Sequence, residues 1–192
     1  DFPCDGATHA WSAEVFGDLE AVVHGRRRYR WRETRDRSAR LASALRAFGV
    51  GRGTTVSAIL HNTPEMVEAH YAVPALNAVL NTINTRLDAA LIAWQLDHCE
   101  SAVVIADREL APTVAPALAI LRERHGRTPV VIDVCDSEYG GAGERVGSHE
   151  YEALLAAHAP LARLEGPADE WDAIAVSYTS GTTGDPKGVV TH

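Results

Sequence analysis

Four short apolar runs alternate along this chain with helix-patterned segments: Val56-Ser57-Ala58-Ile59-Leu60, Val79 to Ile83, Ala102 to Ala106, and Pro129 to Val134. Strands separated by a helix's worth of chain cannot pair through tight hairpins. They need crossover connections, which set them parallel, and a parallel sheet has to be covered on both faces. The alternation therefore predicts an α/β fold of βα repeats, with strands near residues 56, 79, 103 and 130 forming a parallel αβα unit over residues 54 to 134.

Local signals place the flanking elements. Ala21 to His24 and Arg27 to Trp31 are β-like runs around a His24-Gly25 turn, and Thr34 to Phe48 carries Leu41, Leu45 and Phe48 at helical spacing, closed by Gly49. Thr63 can cap a helix that Pro64 and Glu65 open. That helix is expected to run to about Asn77, with Pro74 kinking its last turn. Further helices are expected from Asp88 to His98, from Leu110 to His125 despite Pro112 and Pro116, and from His149 to His158. Asp136 to Ser148 reads as a surface loop, and Ala173 to Tyr178 as a last strand.

Composition excludes several classes of function. Hydrophobic residues make up 46% and charged residues 23%, which suits a packed core and not a disordered chain. Eighteen bases against 26 acids give a net charge of −8, so no general attraction to nucleic acid is expected. The arginine-rich stretch from Arg26 to Arg32 reads as a strand with Arg28, Arg30 and Arg32 on a solvated face and Tyr29 and Trp31 on the other. Three cysteines, Cys4, Cys99 and Cys135, without a CxxC spacing, indicate free thiols in a reducing, cytoplasmic setting. No run is long and apolar enough to span a bilayer. The nine histidines show no HExxH pattern and no paired spacing with cysteines, and Gly140-Gly141-Ala142-Gly143 lacks the GxGxxG spacing.

The chemistry concentrates in Tyr178-Thr179-Ser180-Gly181-Thr182-Thr183-Gly184-Asp185-Pro186-Lys187-Gly188. Glycines let successive backbone N–H groups converge on one point, hydroxyls add donors without bulk, and a lysine adds a mobile positive charge, a combination suited to a polyphosphate. The spacing is not that of a Walker A loop. Asp185-Pro186-Lys187-Gly188 is also a good type I turn that could simply join two strands, and turn chemistry alone leaves the two readings balanced.

The whole string from Thr179 to Gly188 resembles the phosphate-binding signature of the adenylate-forming superfamily, which includes acyl-CoA synthetases, luciferases and peptide-synthetase adenylation domains. Upstream, Leu41-Ala42 to Leu45, Gly49 to Gly53, Asn62-Thr63-Pro64-Glu65 and Val79 to Asp88 are similar to segments of the acyl-CoA synthetase branch that holds medium-chain, aryl and methylthio-acid CoA ligases. The resemblance runs from about Val22 to the end and matches the N-terminal part of a longer family protein. It implies that residues 1–192 are an incomplete N-terminal AMP-binding domain, a reading that fits a start at Asp1 without methionine. His61 departs from the family pattern, which commonly has proline there.

The activity implied is a two-step one. A small carboxylic acid attacks the α-phosphate of ATP to give acyl-AMP and pyrophosphate, and the thiol of coenzyme A then attacks the acyl carbon. By resemblance, Thr179, Ser180, Gly181, Thr182, Thr183 and Gly184 would wrap the β- and γ-phosphates, Thr182 would touch the magnesium ion, and Lys187 would be the catalytic cation following the leaving pyrophosphate. The resemblance places a histidine of the acyl pocket near His192. The family's other catalytic groups would lie beyond His192, so the isolated chain is expected to be inactive and prone to homo-oligomer formation through uncovered apolar faces. An adenylation domain loading a carrier protein, and a non-catalytic nucleotide-binding module, are the alternative readings.

Overall fold

The computed structural model describes residues 6–139, 143–164, 166, 167, 169–179 and 186–192. A helix not expected from the sequence, α1 (Gly6–Val15), precedes a hairpin of β1 (Glu20–His24) and β2 (Arg27–Arg30). Gly25 in its turn has φ +54°, and a Cβ there would collide with the Glu138 carboxylate, so the turn requires glycine. Helix α2 (Trp31–Ala47) starts three residues before the expected Thr34. The strand alternation stops at Arg30 because Glu33 reaches back to accept the Arg30 N–H at 2.7 Å, which fixes the first helical turn there. Only Arg28 and Arg30 therefore lie on the solvated strand face, since Trp31 and Arg32 are helical. At the other end, Gly49 has φ +85° and its N–H reaches the Arg46 carbonyl, as a glycine closing a helix should.

The expected parallel unit is present. Strands β3 (Thr55–Ile59), β4 (Val79–Thr82), β5 (Val103–Asp107) and β6 (Val130–Val134) pair in parallel, with Val56 opposite both Leu80 and Val103, and Ile105 opposite Ile132. They alternate with α3 (Pro64–Ala72), α4 (Ala89–His98) and α5 (Ala111–His125). Beyond α5, a two-residue β7 (His149–Glu150) extends the sheet where a helix start was expected, then come α6 (Tyr151–Ala157), β8 (Ala175–Tyr178) and β9 (Gly188–Thr191). The seven strands lie in the order β7-β6-β5-β3-β4-β8-β9, parallel except for the antiparallel β8–β9 pair.

Two apolar layers cover the sheet. Val56, Ala58, Leu80, Ile105 and Ile132 pack with Leu41 and Leu45 of α2, Ala69 of α3 and Tyr151 of α6. The alternate residues Ile59, Val104 and Ala106 face Ile92 and Leu96 of α4 and Val114 and Leu121 of α5. Strands buried on both faces leave no room for a polar alternation, which is why they read as continuous apolar runs.

Proline shapes two helices differently from expectation. Pro74 does not kink α3: that helix stops at Ala72, Pro74–Leu76 form a 3₁₀ turn, and Asn77 takes a left-handed φ of 55°. Pro112 falls in the first turn of α5, where N–H groups have no helical partner, whereas Pro116 lies inside the helix and removes one internal donor. Thr63 occupies the N-cap of α3 but makes no capping bond.

The first apolar layer also carries charge. Arg37 donates to the Glu68 carboxylate at 2.6 and 3.3 Å and to Glu152 at 2.6 and 2.9 Å, while the buried Tyr151 hydroxyl donates to Glu68 at 2.7 Å. Arg27 pairs with buried Glu65, and both guanidinium groups lie over the Tyr29 ring. Burial pushes the Glu68 carboxyl up to about 7, against the opposing pull of Arg37 and Tyr151.

Candidate functional site

The carboxyl ends of three neighbouring strands, β3, β4 and β8, open onto one cavity of about 740 Å³. Leu60, His61 and Asn62 enter it from β3, Thr82 to Thr85 from β4, and Ser177, Tyr178 and Thr179 from β8, with Leu91 and Gln95 of α4 forming a wall. Strands β3 and β4 end here because the chain must turn into a helix, whereas β8 ends where the chain turns back into β9. Asp88 caps α4 by accepting the Leu91 N–H at 2.9 Å, and Asn84 shapes the preceding turn by accepting the Arg86 N–H at 2.9 Å. Crevices at the carboxyl ends of such strands are where open α/β sheets take their ligands.

The Thr179–Lys187 segment borders this cavity. Ser180, Gly181, Thr182, Thr183 and Gly184 lie outside the described residues, but both ends of their loop are described. The Thr179 N–H donates to the Lys187 carbonyl at 3.0 Å, and the Lys187 N–H donates to the Thr179 hydroxyl at 3.3 Å. Those bonds continue the β8–β9 ladder, whose register runs from Ala175 opposite Thr191 to Tyr178 opposite Gly188. The segment is therefore a strand connection, pinned at its base, with Thr179 and Pro186 lining the cavity and Lys187 exposed beside it.

Tyr178, next to the loop, is held by two residues of α4, Trp94 and His98. Its hydroxyl lies 2.7 Å from His98 Nδ1, and its ring meets Trp94 edge-on at 5.7 Å. Trp94 and His98 stack at 4.8 Å, as side chains four apart on a helix can. That i, i+4 spacing was the available signal. Burial, with Cys99 nearby, pushes the Tyr178 phenol up to about 12, so the hydroxyl keeps its proton. Gln95 is buried with its Oε1 unpaired, and Cys99 joins Ser57, Asn81 and Ser101 in a polar cluster beneath α4. His192 lies apart, against Trp171 and the Glu170 carbonyl.

No aspartate or glutamate lines the cavity among the described residues, although the chain has 26 acids. A polyanion entering there meets hydroxyls, amides and histidine without like-charge repulsion.

A largely parallel sheet with a crevice at its carboxyl ends defines an α/β protein of the kind that takes its ligand at strand ends. The AMP-binding enzyme profile matches residues 9–192, and this chain belongs to that family. It is 42% identical over 188 residues to the peroxisomal acetate/butyrate–CoA ligase AAE7 of Arabidopsis thaliana, covering 94% of this chain and 33% of that protein. It is 39% identical over 186 residues to the acetate–CoA ligase CCL3 of Humulus lupulus, covering 93% and 33%. The chain thus spans about a third of the length of these relatives. Among solved structures, the anthranilate CoA ligase AuaEII in complex with anthranoyl-AMP shares the fold, with a TM-score of 0.85 at 21% identity over 99% of this chain and 35% of that one. The N-terminal domain of FACL13 from Mycobacterium tuberculosis is 28% identical, with a TM-score of 0.71 over 96% of this chain and 43% of that one. Among the described residues, no helix is long and apolar enough to cross a membrane.

Proposed function

We propose that this chain is the N-terminal, triphosphate-binding portion of an AMP-forming acyl-CoA synthetase acting on a small carboxylic acid. The observation that carries the reading is the Thr179–Lys187 clamp at the mouth of an acid-free cavity. In the first step a carboxylate oxygen bonds to the α-phosphorus of ATP as the bond to the pyrophosphate oxygen breaks. In the second, the thiol of coenzyme A displaces AMP from the acyl carbon. The first step asks the protein for alignment and for stabilisation of charge on the departing phosphates. Thr179, Ser180, Gly181, Thr182, Thr183 and Gly184 wrap the β- and γ-phosphates, and Lys187 follows the pyrophosphate as it separates. The hydroxyl of Thr182 is this chain's contribution to the magnesium ion that accompanies ATP, whose chemistry is neutralisation of phosphate charge. The acid-free lining supports this division, since any carboxylate ligand to that ion must come from outside the described cavity wall.

The free thiols Cys99 and Cys135 support a reducing compartment such as the cytoplasm, and relatives named peroxisomal support that organelle as the competing address. The decisive experiment compares half-reactions in the complete enzyme. Lys187→Ala should slow acyl-AMP formation by ~10- to 1000-fold, more than it weakens ATP binding. Thiol transfer from preformed acyl-AMP should suffer less, because no triphosphate takes part. Equal losses in both halves, or a pure affinity defect, would refute the role.

A further inference from the structure

We propose that His61, Asp107 and Glu109 form a binding site for a divalent transition-metal cation at the carboxyl ends of β3 and β5. The three residues offer one nitrogen and two carboxylate ligand atoms, all within 4.8 Å of one another, with His61 Nε2 3.4 Å from Glu109 Oε2. Ligand bonds of about 2.0–2.2 Å need those atoms drawn in by a few tenths of an ångström to about 1 Å. Exposed His61 and half-buried Glu109 can move that far, while Asp107 is the fixed member, 3% exposed and anchored by the Glu109 N–H at 3.0 Å.

Charge supplies an independent argument. Four acids are buried among the described residues. Glu65 is paired with Arg27, Glu68 with Arg37, and Asp133 with Arg145. Asp107 has no arginine or lysine within ion-pair distance, and Glu109 has only His61. A buried carboxylate beside a second one, with an imidazole as its nearest base, is an anionic site missing its cation.

Topology adds a third. From β3 the chain crosses to β4 on one side, whereas from β5 it crosses to β6 on the other, so the crevice between the carboxyl ends of β3 and β5 is the switch point of the sheet. His61 also lines the 740 Å³ cavity, so a bound cation would sit at its rim. One imidazole with two carboxylates suits zinc, manganese, cobalt or nickel in preference to the all-oxygen shell of magnesium or calcium.

The test titrates Zn²⁺ calorimetrically, and Co²⁺ by visible absorption, into the chain near pH 7.5 in a non-chelating buffer. Wild type should bind one equivalent at this site, and His61→Ala, Asp107→Asn and Glu109→Gln should each weaken it by ~10- to 100-fold. His125→Ala, at a comparable histidine–aspartate pair with Asp97, should leave the affinity unchanged. Glu109→Gln is nearly isosteric on a surface turn, so it reads the site even if Asp107→Asn fails to fold. Absence of binding at millimolar metal, or binding that survives both His61→Ala and Glu109→Gln, would overturn the proposal and leave an ordinary His61–Glu109 ion pair.

Discussion

Replacing Tyr151 with phenylalanine isolates one bond in the buried network that joins α2, α3 and α6. The two side chains fill nearly the same volume, and Tyr151 is 1% exposed, so packing against Leu41 and Leu45 survives while the donor to Glu68 at 2.7 Å disappears. No solvent reaches the site to replace it. A hydrogen bond to an ionised group contributes about 1.5–3 kcal/mol, and a neutral one about 1. At ~2–4 °C per kcal/mol for a chain of this size, the melting temperature should fall by roughly 3–12 °C. With Glu68 titrating at about 7, its folded form is protonated at pH 5 and ionised at pH 8, so the deficit should be larger at pH 8. The assay is thermal unfolding of both proteins by circular dichroism at the two pH values, with Glu68→Gln as the second arm of a double-mutant cycle. A shift within ~1 °C at pH 8, or the same loss whether residue 68 is Glu or Gln, would show that the hydroxyl contributes nothing through Glu68.

Four further outcomes follow from the same contacts. A carboxyl raised on folding from 4.5 to about 7 stabilises the fold fully below pH 4.5 and loses that contribution as pH rises through 7, so Glu68→Gln should flatten the decline in melting temperature between pH 5 and 8 relative to wild type. Asp88→Ala removes the α4 cap and should cost ~0.5–2 kcal/mol in denaturant unfolding. The edge strand β9 exposes Val189 and Val190 by 52% and 59%, so Val190→Lys should shift sedimentation toward the monomer. Lys187 is the single lysine of the sequence, so an amine-selective reagent should label it and the α-amine alone, with ATP protecting only Lys187 in a peptide-mass readout.

What the sequence disclosed is what repeats or stays local. Val56 to Leu60 and Val103 to Ala106 were legible because burial on both faces forces a continuous apolar run, and Gly49 because a left-handed helix end selects glycine. The start of α2 was misplaced because the period-two pattern of Arg27 to Trp31 outlasts the strand, and only the Glu33–Arg30 bond ends it. β7 was missed because two residues carry no periodicity, and their pairing depends on Ile132 and Asp133 being beside them. The buried role of Arg27 was equally invisible, since Glu65 and Asp136 come from remote parts of the chain. His61, Asp107 and Glu109 share no motif spacing because β3 and β5 become neighbours only after the chain has passed through β4. The Thr179–Gly188 string was readable for the opposite reason: the resemblance it carries lies in consecutive residues.

The bases divide along the same line. Seventeen of the 18 are arginine, and those at buried sites make fixed, planar contacts: Arg37 bridges Glu68 and Glu152, and Arg27 reaches Glu65 from the hairpin. A rigid fork suits partners that never move, and its charge cannot be removed by ordinary changes of pH. The lone lysine stands on the opposite side of the problem, exposed at the base of β9 beside a cavity that no carboxylate lines among the described residues. A flexible point charge is poorly suited to bracing a fold and well suited to following a phosphate that changes position during reaction. Lys187→Arg should preserve the charge yet fail to restore acyl-AMP formation fully, whereas full restoration would show that charge alone, not reach, is what this position supplies.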